Sequence, residues 1–336
     1  MRRLAVSRLP ARARTAMRTA RTPAQRNRGV ALIVALLVVA LATLLVAALL
    51  DRGELALART RNGLRAQQVE AYAQGLEAYA SQALLLPRDG PDTANSPWAQ
   101  PLPPQQVPGG MISASMRDLN GCFNLNNLAP GQSPQWKALF VRLLKAQSIA
   151  PAVADAVQAW LDPERASGAD ASAYLGARVP YRPHGGLFSH VSELRLVRGI
   201  DTAAYARLAP QVCALPPGTK INVNTAGVPL LQALAGTGEV PATVALAQRL
   251  WQNGRAQWAQ TDAFWQATPL GRVPADLAAL VGVNSVAFLL RGDIVLDGLP
   301  FTVFRVVLVQ GGRVRIVQRS RGADEALVGL ALPDAR

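Results

Sequence analysis

Histidine is nearly missing from this sequence. There are two in 336 residues, His184 and His190, and neither opens the spacing of a metal-ligand set. No Gly-x-Ser-x-Gly elbow or phosphate-cradling Gly-rich loop ending in Lys-Ser/Thr occurs. The nearest approach to a nucleophile–base arrangement is Ser189-His190 beside Ser192-Glu193. Neighbours that close on a helix face different ways, so no triad forms there. The chain is read as not an enzyme. Cysteine is equally scarce, with Cys122 and Cys213 alone. Acid is absent from the first 29 residues, which carry nine Arg, and charge of either sign is absent from the next 21.

That last absence organises the rest. Val30 to Leu50 has one polar side chain, Thr43. At about 1.5 Å per helical residue the run spans a hydrocarbon core of about 30 Å. Cytoplasmic flanks collect Lys and Arg, so the N-terminus is expected inside and the bulk of the chain across the membrane. A secretory signal has a shorter core, about 7–15 residues, and a small-x-small cleavage site. Leu49-Leu50-Asp51-Arg52 is no such site. A plain single-span anchor fits the run but gives no reason for Gly29 at its edge. A third reading cuts the chain on the cytoplasmic side after Gly29 and leaves Val30 as the N-terminus of a helix that stays in the membrane. The basic leader, the Gly at the boundary and the uninterrupted apolar helix resemble the type IV prepilin pattern of pilins and type II secretion pseudopilins.

Net charge is +14. A pI near 11 ordinarily raises nucleic acid, but removing the leader's nine Arg leaves only +5. Both cysteines follow the apolar run. In an oxidising compartment an even pair favours a disulfide; two buried free thiols are the alternative.

Past the apolar run the helical pattern continues to Leu86, with Tyr72, Leu76, Tyr79 and Ala83 on one face. Residues 87–110, rich in Pro, Gly and Gln, read as a loop. Met111–Asp118 alternates as a strand. In Asp118-Leu119-Asn120-Gly121-Cys122-Phe123-Asn124-Leu125-Asn126-Asn127, Gly121 suits a turn and the Asn cluster can bond its own backbone. Residues 134–270 read as mostly helical, with Trp136, Leu139, Phe140, Leu143 and Leu144, and again Val153, Ala156, Val157, Trp160 and Leu161, at core spacing. From Asn284 strands take over, in two hairpins turning at Asp297-Gly298 and Gly311-Gly312. An antiparallel sheet with one apolar face needs a cover, and the long helix is the obvious one.

Two stretches carry a closer resemblance. Gly121-Cys122-Phe123-Asn124-Leu125-Asn126 matches a "GxFNLN" segment. Trp160-Leu161-Asp162-Pro163-Glu164, Gly168-Ala169-Asp170-Ala171, Val179-Pro180-Tyr181-Arg182 and Val191-Ser192-Glu193-Leu194-Arg195-Leu196-Val197 follow the order "DWxDxD", "GAED", "PPYR", "SVSELRLV". Both resemble the K-type minor pseudopilin (GspK) family of the type II secretion system, over residues about 28 to 320. The resemblance implies an α+β, pilin-like fold: a long N-terminal transmembrane helix on an antiparallel sheet, with a large all-α, SAM-like or helix-hairpin-helix-like insertion. The expected divisions are a leader at 1–29, a membrane helix at 30–50, helix, loop and first strand at 51–128, the insertion at 129–275, C-terminal strands at 276–322 and a tail at 323–336.

It also implies cleavage after Gly29 and methylation of Val30 by the prepilin peptidase. Implied partners are the I-, J- and H-type minor pseudopilins, the major pseudopilin, secreted substrates and the outer-membrane secretin. Most pilin-like subunits carry Glu at the fifth mature position, where it pairs with a neighbour's N-terminal amine; here that position is Val34. An unpaired carboxylate in lipid is costly, so its absence suits the filament tip, where no subunit lies above. The family is associated with Ca²⁺, for which Asp162, Glu164 and Asp170 are the candidate ligands. Ala159, Glu164 and Ala171 depart from the family's acids.

One rival remains. Lys220-Ile221-Asn222-Val223-Asn224-Thr225-Ala226 precedes helix, Gly236-Thr237-Gly238, helix, with Asn224 or Thr225 as the expected helix cap. That unit is similar to a helix-hairpin-helix, which elsewhere binds DNA phosphates through backbone N–H groups. It points to a membrane-anchored, competence-type DNA-binding protein; a type IV pilus tip subunit is a separate alternative, and the motif blocks at 160–199 carry the choice between it and a secretion tip protein. Against DNA, Glu239 follows the hairpin, and Arg249 and Arg255 form no dense basic stripe.

Overall fold

The computed structural model describes residues 27–321, apart from 88, 169, 272 and 274. Most of the expected leader and the tail beyond Arg321 lie outside the described residues. The chain divides into two compact units, residues 1–64 and 65–336. In the first, the helix α1 (Asn27–Leu85) exposes every side chain from Val30 to Leu64.

In the second unit, α1 buries Val69, Ala73, Leu76, Ala80 and Leu84, one stripe at spacings of three and four. This shifts the expected face: Tyr79 is exposed, while Tyr72 and Ala83 are half-buried. The small Ala73 and Ala80 let the helix approach the sheet. Tyr72 instead turns its hydroxyl to the Pro108 carbonyl at 2.7 Å.

In chain order there follow β1 (Leu102–Val107), β2 (Gly110–Asp118), β3 (Phe123–Asn124), α2 (Pro134–Ala146), α3 (Val153–Leu161), α4 (Pro163–Ser167), α5 (Ala171–Leu175) and α6 (Thr202–Leu208). Then come β4 (Val212–Cys213), β5 (Ile221–Asn222), α7 (Val228–Leu234), α8 (Val244–Trp251), α9 (Thr261–Gln266), α10 (Ala275–Ala278), β6 (Val281–Gly282), β7 (Ala287–Leu296), β8 (Leu299–Gln310) and β9 (Arg313–Arg321). The main sheet is antiparallel with order β1-β2-β7-β8-β9. The helices α2–α10 fall between β2 and β7. β1 corrects the reading of 87–110 as loop: Pro103 and Pro104 hide a strand, yet an edge position tolerates them. The same stretch supplies Trp98, which is buried against Phe288 and donates to the Asp92 carboxylate at 2.8 Å.

The sheet serves two cores. Phe288, Leu290, Val303, Val307 and Val309 pack with α1, while Ala287, Leu289, Phe304, Val306 and Leu308 pack with the helices of the insertion. Side chains alternate across a strand, and a strand covered on both faces is apolar almost throughout. Gly292 is required where Leu76 sits on β7, because a Cβ there would strike the Leu76 side chain.

One charge interrupts β8. Arg305 is 1% exposed and faces α1. Its guanidinium donates to Glu77 at 2.5 Å and to Glu70 at 3.2 Å. Arg319 also donates to Glu77 at 2.9 Å, and Arg321 to Glu70 at 2.8 Å. A register shift between Val306 and Val307 leaves Val317 without a partner on β8. That bulge flips the strand's faces: Val314 and Ile316 before it, and Arg319 and Arg321 after it, all turn toward α1. Burial pushes the Glu77 carboxyl up, but its bonds and charge pairing with Arg319 and Arg305 outweigh this and hold it below its ordinary 4.5.

Removing one partner of a buried pair costs about 3–5 kcal/mol. Glu77→Gln should cost about 3 kcal/mol, since Arg305 keeps Glu70. A lowered folded-state pKa gives stability present above the ordinary value and lost as pH falls through the folded value. The difference between wild type and Glu77→Gln should therefore shrink as pH drops below 4.5. Urea titration of the full chain in detergent, followed by tryptophan fluorescence, measures both.

Candidate functional site: the anchor helix and the junction of sheet and insertion

Gly29 and Val30 lie in the first turns of α1 and are exposed, and Val34 presents only hydrocarbon. Thr43, the one polar side chain of the apolar run, donates to the Ala40 carbonyl at 2.8 Å. The run is thus satisfied within itself, as a helix in lipid must be. Gly29, Gly53, Gly63 and Gly75 all sit in α1 with nothing near where a Cβ would be. Each costs about 1 kcal/mol against Ala in a helix interior, and no neighbour within the chain needs that space.

The second concentration of chemistry is where β2 leaves the sheet and β7 returns. Asp118 is buried and accepts from Ser285 and Thr225 hydroxyls at 2.5 Å each, from the Asn120 N–H at 2.7 Å and from the Asn222 amide at 3.0 Å. Burial pushes its carboxyl up, against the pull of these four donors. Asn222 also donates to the Asp92 carbonyl at 2.8 Å. Asn120 accepts from the N–H groups of Val286 and Ala287 at 3.0 and 2.9 Å. Gly121 is forced here, because a Cβ would run into the Thr225 carbonyl.

The Asn cluster does more than bond its own turn. Asn126 donates to the Phe188 and Leu215 carbonyls at 3.0 and 2.9 Å and accepts from the Phe188 N–H at 2.8 Å. Asn124 accepts from Leu215, and Asn127 accepts from Gly218 and donates to Thr219. Side-chain amides thus stand in for strand partners between segments far apart in sequence. Cys122 and Cys213 are joined in a disulfide, with Cα atoms 5.9 Å apart, closing a loop of 91 residues beside the short parallel pair β3–β4.

Asn224 and Thr225 do not cap α7. Its N-cap is Gly227, and Pro229 removes one donor that would need a cap. Thr225 is committed to Asp118, and Asn224 bonds both N–H and C=O of Trp258.

Asp162, Glu164 and Asp170 do not form a ligand set. Asp162 caps α4, accepting from the Glu164 and Arg165 N–H groups, while Asp170 pairs with Arg165 at 3.0 Å and Glu164 faces solvent. No group of three His, Cys, Asp or Glu able to hold a metal occurs among the described residues. A cation wanting six or more oxygens does not fit this arrangement. His190 and Glu193 form a capping box: Glu193 accepts from the Ser189 and His190 N–H groups, and His190 Nδ1 from that of Ser192. The Ser192 hydroxyl lies 2.8 Å from the same His190 Nδ1, and Glu193, the nearby carboxylate, is held by the Ser189 and His190 N–H groups and by His184.

At the α7–α8 hairpin, Arg142 of α2 is buried and donates to the carbonyls of Ala233 at 2.6 Å and Gly238 at 2.9 Å. It ties the hairpin down from inside; its position among the apolar residues of α2 hid this in the sequence. Outside, Lys145 bonds Glu239 at 2.8 Å and holds that carboxyl below its usual range. The hairpin offers an acid where a phosphate would need a donor.

Asn126→Ala would strand one buried N–H and two carbonyls, at about 1–3 kcal/mol for each orphan. Replacing Cys122 and Cys213 together by Ser should cost about 2–5 kcal/mol for a loop of this length. Thermal unfolding of both variants against an exposed control, Asn95→Ala, checks the two figures.

Residues 121–217 match the family described as type II secretion system (T2SS), protein K. The type II secretion system protein K of Pectobacterium carotovorum subsp. carotovorum is 33% identical over 326 residues, covering 88% of this chain and 97% of that protein. That of Pseudomonas aeruginosa is 32% identical over 328 residues, covering 91% and 95%. Among solved structures, a chain of the GspK-GspI-GspJ complex from enterotoxigenic Escherichia coli aligns with a TM-score of 0.67 at 27% identity, covering 79% of this chain and 99% of that one. With its apolar N-terminal helix and its antiparallel sheet interrupted by helices, this chain belongs to the type II secretion system protein K family, the K-type minor pseudopilins.

Proposed function

We propose that this chain is the tip subunit of a type II secretion pseudopilus, held in the inner membrane by Val30–Leu50 with its N-terminus cytoplasmic and its bulk periplasmic. The carrying observation is the first unit of α1. Over Val30–Leu50 this helix is uncharged, self-satisfied and exposed along its length, with Val34 where an assembling carboxylate would stand. Its unoccupied glycine faces suit close approach by helices of neighbouring subunits. The Cys122–Cys213 bond suits an oxidising compartment. The fold is then pilin-like, enlarged by a helical, SAM-like or helix-hairpin-helix-like insertion.

On this reading the prepilin peptidase removes the leader after Gly29 and methylates Val30. The subunit joins I-, J- and H-type minor pseudopilins, starts or limits growth of the major pseudopilin, and meets secreted substrates or the secretin from the tip. The action is mechanical and steric, with no catalytic step. The DNA-receptor reading finds no support in the hairpin, whose Gly238 carbonyl is taken by Arg142 and whose exposed face carries Glu239.

Deleting the chain should leave secreted proteins in the periplasm, and restoring it should return them to the medium. Co-expressed with I- and J-type subunits in detergent, it should purify as a complex holding one copy of each. Normal export in the deletion strain would remove the assignment, and DNA uptake lost in place of export would favour the receptor.

A further inference from the structure

The inserted region presents one surface that its own core does not use. The rings of Tyr174 and Tyr181 meet edge to face at 5.4 Å. The Tyr181 hydroxyl donates to the Leu196 carbonyl at 2.6 Å, and the Tyr174 hydroxyl accepts from the Arg198 N–H at 3.3 Å. These bonds lay residues 174–182 alongside 195–198. Tyr174 is buried behind, against Trp160. On the same two segments Leu175, Val179 and Leu196 are exposed, Val179 to 68%.

Arg178, Arg182, Arg195 and Arg198 are exposed on the same two adjoining segments. Arg195 lies over the Tyr205 ring at 4.3 Å. Among the described residues none of the four guanidinium groups has a carboxylate partner. From 174 to 198 the one acid is Glu193, and it is occupied by the Ser189 and His190 N–H groups and by His184 at 3.3 Å. The surface thus combines three exposed aliphatic side chains with four uncompensated positive charges.

An apolar centre with a charged rim containing Arg and Tyr is the anatomy of a protein-docking surface. Nucleic acid would meet the charges, but bases stack on open aromatic faces, and here the tyrosine rings are packed and their hydroxyls engaged. We propose that this surface, Leu175–Arg182 with Arg195–Arg198, docks a segment of a partner protein whose apolar side chains are flanked by carboxylates. The inference needs only the folded insertion and stands apart from the leader cleavage and tip position proposed above.

The test uses the full chain in detergent and a fluorescent peptide alternating Glu and Leu, with anisotropy as the readout. The peptide should bind, and weaken about threefold or more as salt rises from about 50 to about 300 mM. Arg178→Glu with Arg182→Glu should weaken it about tenfold or more through lost charge complementarity. Val179→Ser with Leu196→Ser should weaken it about threefold or more through lost apolar contact. The second pair keeps the test open should charge reversal disturb folding; each variant is checked for an unchanged melting temperature. Failure of the peptide to bind, equal binding of a Lys-Leu peptide, tighter binding of single-stranded DNA, or intact variants that bind as wild type would each overturn the proposal.

Discussion

A guanidinium in the middle of a strand covered on both faces is costly unless carboxylates meet it. Arg305 is met by Glu77 and Glu70, both on α1. Seven residues apart, these two acids lie two turns apart on one helix face, so they set both the rotation and the height of this part of α1 on the sheet. Arg319 and Arg321 complete the set only because β9 bulges at Val317. Apolar packing alone would let a helix stripe of Val, Ala and Leu slide along a sheet face of Val, Leu and Phe. The buried charge pairs add a second fix on the register, beside the seat that Gly292 leaves for Leu76.

The insertion is tied to the sheet by a different device. Asp118 at the end of β2, Asn222 on β5 and Ser285 just before β7 share one buried network. Strand exit, insertion and strand return are fastened at a single point. Asn124, Asn126 and Asn127 extend the same logic inward, each bonding backbone about sixty to ninety residues away. With the disulfide beside them, these amides hold a region of short helices whose own backbone ladders are brief. Body and insertion are thereby coupled.

Much of this was legible in the residues. The uncharged run to Leu50 announces itself by length, and both C-terminal hairpins by their Asp-Gly and Gly-Gly turns. The GxFNLN and SELRLV stretches carry the family. Three things were not legible, each for a physical reason. β1 was masked by two prolines that only an edge strand tolerates. The buried face of α1 was displaced, because Tyr72 at core spacing turned its hydroxyl to the Pro108 carbonyl and Tyr79 faced outward, while the smaller Ala73 and Ala80 went inside. Arg305, Arg142 and the Asn bridges depend on partners far off in the chain, and no local pattern reports such pairings. The acids at 162, 164 and 170 looked like a cation loop in sequence, but folding assigns two of them to a helix cap and an arginine.

If the chain is a tip subunit, α1 is the exposed helix of a processed, membrane-held protein. Intact mass and N-terminal sequencing of the membrane-bound protein, from cells with and without the prepilin peptidase, test this most directly. A chain that begins at Val30, carries one added methyl group and depends on that enzyme is the predicted result. A chain still beginning near Met1 in cells that hold the peptidase, or one beginning beyond Asp51, would contradict it.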